Sequence, residues 1–434
     1  MFWLLHPKKT LASLSTWPGQ RIRVAPFFPP FDFLLTSNPS DVADLVAQRA
    51  IRSSISQRML ATQGINSIVV QDDELASMLR NNLRQHLTPA AYDRMSQSIV
   101  TGLIAQIDSE IANTQTVALI PLLRLEFNKA LIEGLLGLPV TKDLQQQIHQ
   151  VRIDVYGDDV PLAAEVDGLK KLFFFSGLPA GKVKDWLLPK TKKLAAYKAR
   201  LAALIYENAN QIGEQLDPQS RIASLLELCQ QEKITKQQLL GEINSVFDSA
   251  TPLMVSIAWA LLCVAKESTH QVRIQTDNRW AKYCYLEALR LYPPFHILGY
   301  TPKPLAASKC PFKRFQLRFV DRVVHVLGLH RSTLAWNEPN QFKPERFQGG
   351  MSSVPKHAYI PFGFGQRACP GKVLSLTVGP YVLQKLTARY YFAVDEISSA
   401  KRGTLLCPHD EAKLQIRRKN QMNFGESFSV QKRI

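Results

Sequence analysis

Residues 359–376 read YIPFGFGQRACPGKVLSL, and one cysteine, Cys369, stands between glycine-bearing turns, two residues after Arg367. The stretch that follows, VLSLTVGPYVLQKL, carries apolar residues at helical spacing, and Pro370 suits the first helical position, where a missing N–H costs nothing. That spacing predicts Cys369 at a helix N-terminus, where free amides and the helix dipole stabilise a thiolate. Gly363, Gly365 and Gly371 lack Cβ atoms and let the backbone turn tightly and approach a flat object. Arg367 presents a fork of donors suited to a carboxylate. A buried structural cysteine with incidental glycines is one reading of this loop. A nucleophile would need a histidine partner that sequence alone does not place, and zinc would want three more ligands close by, which are absent. A thiolate ligand to haem iron, with Arg367 on a haem propionate, uses every feature at once.

The run F362-G-F-G-Q-R-A-C369-P-G371 resembles the haem-binding loop of the cytochrome P-450 haem-thiolate family at every defining position. Other segments are similar to the family as well. In CYLEALRLYPP, Glu287 and Arg290 lie three apart on one helix face and precede Pro293–Pro294. Taken alone, such a pair is usually a surface ion pair. The resemblance implies a buried network in which Glu287 and Arg290 bind a later arginine, Arg346 of F342-K-P-E-R-F347, and hold the loop beneath the haem. LGLHRSTLAWNEP (327–339) resembles the usual approach to that segment. LRNNLRQHLTPAAY (79–92) resembles the helix that donates a propionate-binding arginine five residues before a proline, here Arg84. Two departures stand out: Arg80 occupies the place of the usual aromatic partner, and Tyr300 falls where an arginine often follows the Pro-Pro turn.

The distal side matches least. Residues 236–266 resemble the long central helix over the haem, whose usual pattern is A/G-G-x-D/E-T-T with an aromatic residue seven beyond the first threonine. Counting back from Trp259 puts Pro252 at that threonine and Thr251 at the acid. The acid–alcohol pair by which the family delivers protons to dioxygen is then missing. A bulge at Pro252 would let Asp248–Ser249 or Ser249–Thr251 substitute, because proline removes one backbone hydrogen bond. The plainer alternative is that Pro252 only bends the helix around the porphyrin.

Composition sets the frame. The chain has 434 residues, 46% of them hydrophobic, enough for one large core, and no Gly/Ser-rich linker or internal repeat divides it. Cys229, Cys263, Cys284, Cys310, Cys369 and Cys407 are scattered without a C-x-x-C pair, which favours reduced thiols in a cytoplasmic setting. MFWLLHPKK is too short an apolar start for a signal or a membrane span, and residues 250–264 fit a buried core helix better than a span. Lysine and arginine number 53 against 36 acidic residues, a net charge of +17. No aromatic-interleaved basic module supports nucleic-acid binding. Between Lys170 and Arg200 lie nine basic residues against Asp185 alone, together with Phe173, Phe174, Phe175 and Trp186. With FFPPFDFLL (27–35), that stretch suits peripheral contact with an anionic membrane; the bland alternative is that the aromatics pack inward.

Helical periodicity dominates from about Asp41 to Lys266, Thr88–Pro89 reads as a helix start, and a further helix is expected over 276–291. Residues 313–327 alternate like a hairpin turning near Asp321–Arg322. The expected architecture is mainly α with small β-sheets, an α+β chain of the cytochrome P-450 fold, with haem between the central helix and the Cys369 loop. One domain over 1–434 is expected: a Pro/aromatic-rich segment with short strands (1–36), a helical region (37–292), a β-rich insert (293–330), the ligand loop and its helix (331–388), short strands (389–418) and a polar tail (419–434). The resemblance implies haem b (iron protoporphyrin IX) ligated by Cys369, propionates on Arg367 and Arg84, and Phe362, Gly363 and Gly371 framing the ring. It implies Thr251, Pro252, Asp248 and Ser249 on the oxygen or substrate side, and a monooxygenase acting on an apolar small molecule. No flavin domain or iron–sulfur cluster fits within the chain, so an external donor such as a ferredoxin or flavodoxin is implied, docking on basic residues including Lys356 and Lys372. Alternatives are a peroxide-using or rearranging enzyme of the same fold, and a haem-binding sensor or carrier without turnover.

Overall fold

A computed structural model describes residues 21–24, 33–48, 51–52, 74–112, 114, 116–156, 189–301, 321–365, 368–397, 401–402, 405–408 and 412–419. Arg367, Cys310, the tail beyond 419 and most of the basic 170–200 stretch lie outside them, as do residues 27–32 of the aromatic segment.

Capping chemistry sets the helix starts. Helix α1 (Pro39–Ala47) begins where the Asn38 side chain accepts the Ser40 N–H. After α2 (Glu74–His86), helix α3 (Pro89–Glu110) starts as expected: Thr88 Oγ1 accepts the Ala91 amide at 3.2 Å and Pro89 fills the first turn. Its buried residues Met95, Ile99, Leu103 and Ile107 recur every fourth position, forming one apolar stripe. Helix α4 (Leu119–Leu131) runs into a π-helical turn over Ile132–Leu136, closed by Gly137 at φ 71°. There follow α5 (Lys142–Tyr156), α6 (Pro189–Ile212) and α7 (Arg221–Gln230), the last capped by Ser220.

The central helix α8 (Lys236–Lys266) opens with a capping box between Thr235 and Gln238. It is continuous through Pro252, so the bulge that would realign its residues is not formed. Its length and apolar composition would allow a membrane span, but 71% of the apolar window is buried in the protein, which is how a core helix behaves. Helices α9 (Ser268–Thr276), α10 (Trp280–Leu291), α11 (Val326–His330) and α12 (Lys372–Arg389) complete the helical set among the described residues.

The strands are β1 (Arg21–Val24), β2 (Phe33–Thr36), β3 (Ile51–Arg52), β4 (Thr116–Ala118), β5 (Ile297–Thr301), β6 (Asp321–His325), β7 (Tyr390–Ala393), β8 (Lys401–Arg402), β9 (Leu406–Cys407) and β10 (Lys413–Arg418). One sheet has the order β1-β2-β6-β5-β3, a second β4-β10-β7, and β8 pairs with β9. Asp321 and Arg322 are therefore the first residues of a strand and not a turn. Arg322 pairs with Tyr300 on the antiparallel strand β5 and with Leu34 on the parallel strand β2. The alternation along 321–325 comes from a strand paired on both sides, which a local hairpin pattern imitates.

The core lies where α8 packs against α4, α6, α10 and α12, with α12 also against α3. Trp259 on α8 is fully buried, donates its indole N–H to the Leu406 carbonyl at 2.8 Å and stacks on Tyr292 with centroids 4.0 Å apart. Burying such a ring contributes several kcal/mol, about 3–5 by the cost of truncating it to alanine. The mainly helical α+β architecture stands as expected.

Candidate functional site

Cys369 sits at the end of a loop held by nested turns. The Gly363 amide donates to Ile360 O at 3.0 Å, the Ala368 amide to Gly365 O at 3.1 Å, and the Cys369 amide to Phe362 O at 2.9 Å. Gly363 and Gly365 adopt φ of 65° and 66°, conformations that side-chain-bearing residues resist. Gly371 serves differently: at φ −80° it is the N-cap of α12. A Cβ there would stand 3.7 Å from the Cys369 sulfur. Pro370 consequently lies ahead of the N-cap, and the first helical residue is Lys372. The reason is that the Cys369 carbonyl accepts the Lys372 amide at 3.3 Å, a turn that delays the helix by two residues.

The thiol is exposed although protein atoms crowd it closely enough to desolvate it. Both hold if it faces an enclosed opening and not bulk water. Burial pushes the Cys369 thiol up, and a hydrogen bond from the Gly371 backbone draws it back only in part. The helix terminus alone therefore does not secure a thiolate; a bound metal cation would, because it deprotonates a coordinating thiol outright.

Beneath the loop, Glu287 and Arg290 are fully buried. Arg290 Nε and Nη2 each donate to Glu287 at 2.7 Å, a bidentate pair. Glu287 Oε1 also accepts the Lys343 amide at 2.9 Å and Arg346 Nε at 3.3 Å. Arg290 Nη1 donates to the carbonyls of His330 and Pro339, both at 2.7 Å, and Nη2 to Gln341 O at 3.1 Å. Sequence reading missed the next link. His330, fully buried, accepts the Ile360 amide on Nε2 at 2.9 Å, so its proton resides on Nδ1 and is donated to the Arg290 carbonyl at 3.2 Å. Burial first, then the nearby Arg290 charge, press the His330 pKa down to about 3, leaving the ring neutral. Tyr359 stacks on His330 and donates to the Leu286 carbonyl at 2.9 Å. The chain entering the Cys369 loop is thus fastened to α10.

Tyr300 is buried and its ring stacks on Phe364 of the loop, centroids 4.2 Å apart. Phe362 is half-buried and packs against the main core. Arg84 is exposed on α2, with one long contact to Asn81 at 3.5 Å, and Arg80 is half-buried, its pKa lowered by burial and then by Arg84.

On the central helix, burial lapses between 247 and 252: Phe247, Asp248, Thr251 and Pro252 are half-buried and Ser249 is exposed, in a helix whose neighbouring turns are buried. Asp248 Oδ1 pairs with Lys198 Nζ of α6 at 2.7 Å, and the Ser249 hydroxyl donates to the Ser245 carbonyl at 2.7 Å. Asp248, Thr251 and Pro252 are three and four residues apart, hence on one face. An acid and an exposed hydroxyl therefore adjoin at 248–249 without any bulge.

These residues fit a flat macrocycle held through one axial sulfur. The donor thiol is open, the space around a Cβ on Gly365 is empty to 4 Å, and the central helix interrupts its burial at 247–252. Among the described residues no cluster of three or more His, Cys, Asp or Glu would hold a bare metal ion.

Comparison with known proteins agrees. Residues 284–415 match the family model described as cytochrome P-450. Dimethylnonatriene synthase of Arabidopsis thaliana is 38% identical over 174 residues, 35% of this chain and 33% of that enzyme. Ent-sandaracopimaradiene 3-hydroxylase of Oryza sativa subsp. japonica is 22% identical over 346 residues, 71% of this chain and 67% of that enzyme. Several of the curated relatives are matched over about a third of their length. A six-coordinated cytochrome P-450 from Thermus thermophilus shares the fold at a TM-score of 0.68 and 20% identity, over 94% of this chain and 98% of the other. What the Cys369 loop and its buried brace suggested, the match over residues 284–415 and the shared fold bear out: that region is of the cytochrome P-450 family, and the chain has the cytochrome P-450 fold.

Proposed function

We propose that this protein is a haem-thiolate monooxygenase that hydroxylates or epoxidises an apolar small molecule, using an external electron donor. The observation that carries the proposal is the open Cys369 thiol, crowned by the Gly371 amide and fixed through the Phe362 carbonyl. Haem b, when bound there, would supply the activation of dioxygen, with the sulfur favouring O–O cleavage. The chain's own residues do the rest. Cys369 would hold the iron through its sulfur, Arg84 and Arg367 would bind the propionates, and the Glu287–Arg290–Arg346 network keeps the loop in place.

Asp248 and Ser249 are the pair favoured to move protons. Asp248 is half-buried and Ser249 exposed, whereas Pro252 has neither hydroxyl nor N–H and Thr251, one turn from Asp248, is less open than Ser249. The substrate is an apolar molecule, because Phe247, Leu253 and Met254 flank the polar residues, and pockets of this kind are mostly apolar with few polar anchors. The diene for which the rice relative is named is of that class. Lys356 and Lys372 are exposed near the loop and suit an acidic ferredoxin or flavodoxin.

A second reading, peroxide as the oxidant, is favoured by one observation: Asp248 is tied to Lys198 and Ser249 to the Ser245 carbonyl, so neither is free to pass a proton without rearrangement. The two separate by experiment. Turnover of terpenoids, steroids and apolar acids is compared with redox partners plus dioxygen and with peroxide alone. The monooxygenase reading expects tighter coupling of electrons to product in the first; product only with peroxide supports the second. Haem binding without product under either condition would leave a sensor or carrier and overturn both.

A further inference from the structure

Behind the Cys369 loop lies a chain of buried hydroxyls that neither the family network nor the distal residues use. Tyr285 on α10 is fully buried, and its hydroxyl is 2.8 Å from Ser375 Oγ, six residues beyond Cys369 in the opening turns of α12. The same phenol hydrogen-bonds the Ser256 side chain on the central helix. Ser256 in turn donates to the Pro252 carbonyl at 2.7 Å, one turn back toward the proton-handling residues. Proton counting gives the chain a direction. The one hydrogen of Ser256 goes to a carbonyl, so Ser256 accepts from Tyr285, and Tyr285, its hydrogen spent, accepts from Ser375. Donation runs Ser375 to Tyr285 to Ser256 to the Pro252 carbonyl.

The site is built for the ring. A Cβ on Gly379 of α12 would lie 2.3 Å from the Tyr285 ring, so α12 approaches the phenol only because that residue is glycine. Burial pushes the phenol to about 12, which keeps it a neutral donor and acceptor at any physiological pH. The Pro252 carbonyl therefore takes a hydroxyl besides its place in the helix, in the segment where proline has already removed an amide.

We infer that Tyr285 is a positioning residue that sets the separation between the Cys369 ligand on one side of the cofactor and the Pro252 segment on the other, through the hydroxyls of Ser375 and Ser256. The inference rests on the haem-thiolate reading of Cys369. It goes further in assigning a link between the two faces of the site to three side chains outside the Glu287–Arg290–Arg346 network. Loss of the phenol oxygen breaks the hydroxyl link at its centre, leaving Ser375 without its partner, Ser256 with the Pro252 carbonyl alone, and the spacing of α12 and α8 to their direct packing.

The test uses full-length holoprotein and its reduced carbon monoxide complex, whose C–O stretching band senses both the axial sulfur and the distal helix. Tyr285→Phe, which keeps the ring and removes one oxygen, is expected to shift or split that band and to move the reduction potential. Haem content should stay near wild type. Ser375→Ala and Ser256→Ala, which remove one small hydroxyl each and spare the fold, should move the band in the same sense. In the Tyr285→Phe/Ser375→Ala double variant the shifts should fall short of additive, because both break one chain. A wild-type band and potential in Tyr285→Phe, or fully additive shifts in the double variant, overturns the link. If Tyr285→Phe does not retain haem, wild-type spectra in both serine variants overturn it equally. Absence of a thiolate-type spectrum in the wild type would instead bring down the reading beneath it.

Discussion

The residue that distributes most load is Glu287, which accepts from Arg290, Arg346 and the Lys343 amide at once while fully buried. Glu287→Ala strands the Arg290 guanidinium and is expected to cost about 3–5 kcal/mol, giving mostly haem-free or aggregated protein. Haem content and thermal midpoint measure this; normal values in the variant would contradict the brace. His330 adds a pH dependence. Its folded pKa of about 3 lies below the ordinary imidazole value of 6.5, so below 6.5 the unfolded chain takes up a proton that the folded ring refuses. Stability from this group is fully present above pH 6.5 and declines as pH falls toward 3, by at most about 1.4 kcal/mol per pH unit. Denaturant melts at pH 7 and pH 5 should differ in wild type, and the difference should shrink in His330→Gln. The Glu287–Arg290 pair was legible in the sequence because its partners lie within one helical turn and a familiar motif. His330 was not, because its partners Ile360 and Arg290 are 30 and 40 residues away and meet it through backbone atoms that carry no residue signature.

At the scale of elements, the helices were read well where apolar periodicity was clear, as along 236–266, and best where a cap agreed with it, as at Thr88–Pro89. Short strands appear where they were expected within 1–36 and 389–418, but the hairpin over 313–327 was misread because pairing is non-local: β6 owes its existence to β2 and β5, from which its own alternation cannot be separated. The central helix was legible as an element, yet its register over the site was not. Counting from Trp259 pointed to Thr251–Pro252, while exposure favours Asp248–Ser249. Two variants decide between these. Ser249→Ala should raise the electrons lost as peroxide several-fold if 248–249 is the relay. The double change Thr251→Asp with Pro252→Thr should raise product per electron if the relay is missing. Measured coupling that responds only to the second would return the assignment to 251–252.

Across the whole molecule, the surplus of basic charge, +17, is the property most relevant to partners. Lys356 and Lys372 are exposed beside the ligand loop. Changing both to glutamate should lower turnover with an acidic redox partner several-fold and flatten its dependence on salt, while peroxide-supported turnover holds. The fold should tolerate it, since an acidic residue at the first position of α12 suits the helix dipole. Equal losses with peroxide would mean that the site itself was damaged.

The central claim is that Cys369 ligates haem iron through sulfur. Its most direct test is the reduced carbon monoxide difference spectrum of wild type beside Cys369→His. The wild type should show the long-wavelength band of a thiolate complex. The variant should still bind haem yet lose that band, because neutral imidazole donates less charge than thiolate. A wild type without the band, or a variant that keeps it, would contradict the assignment.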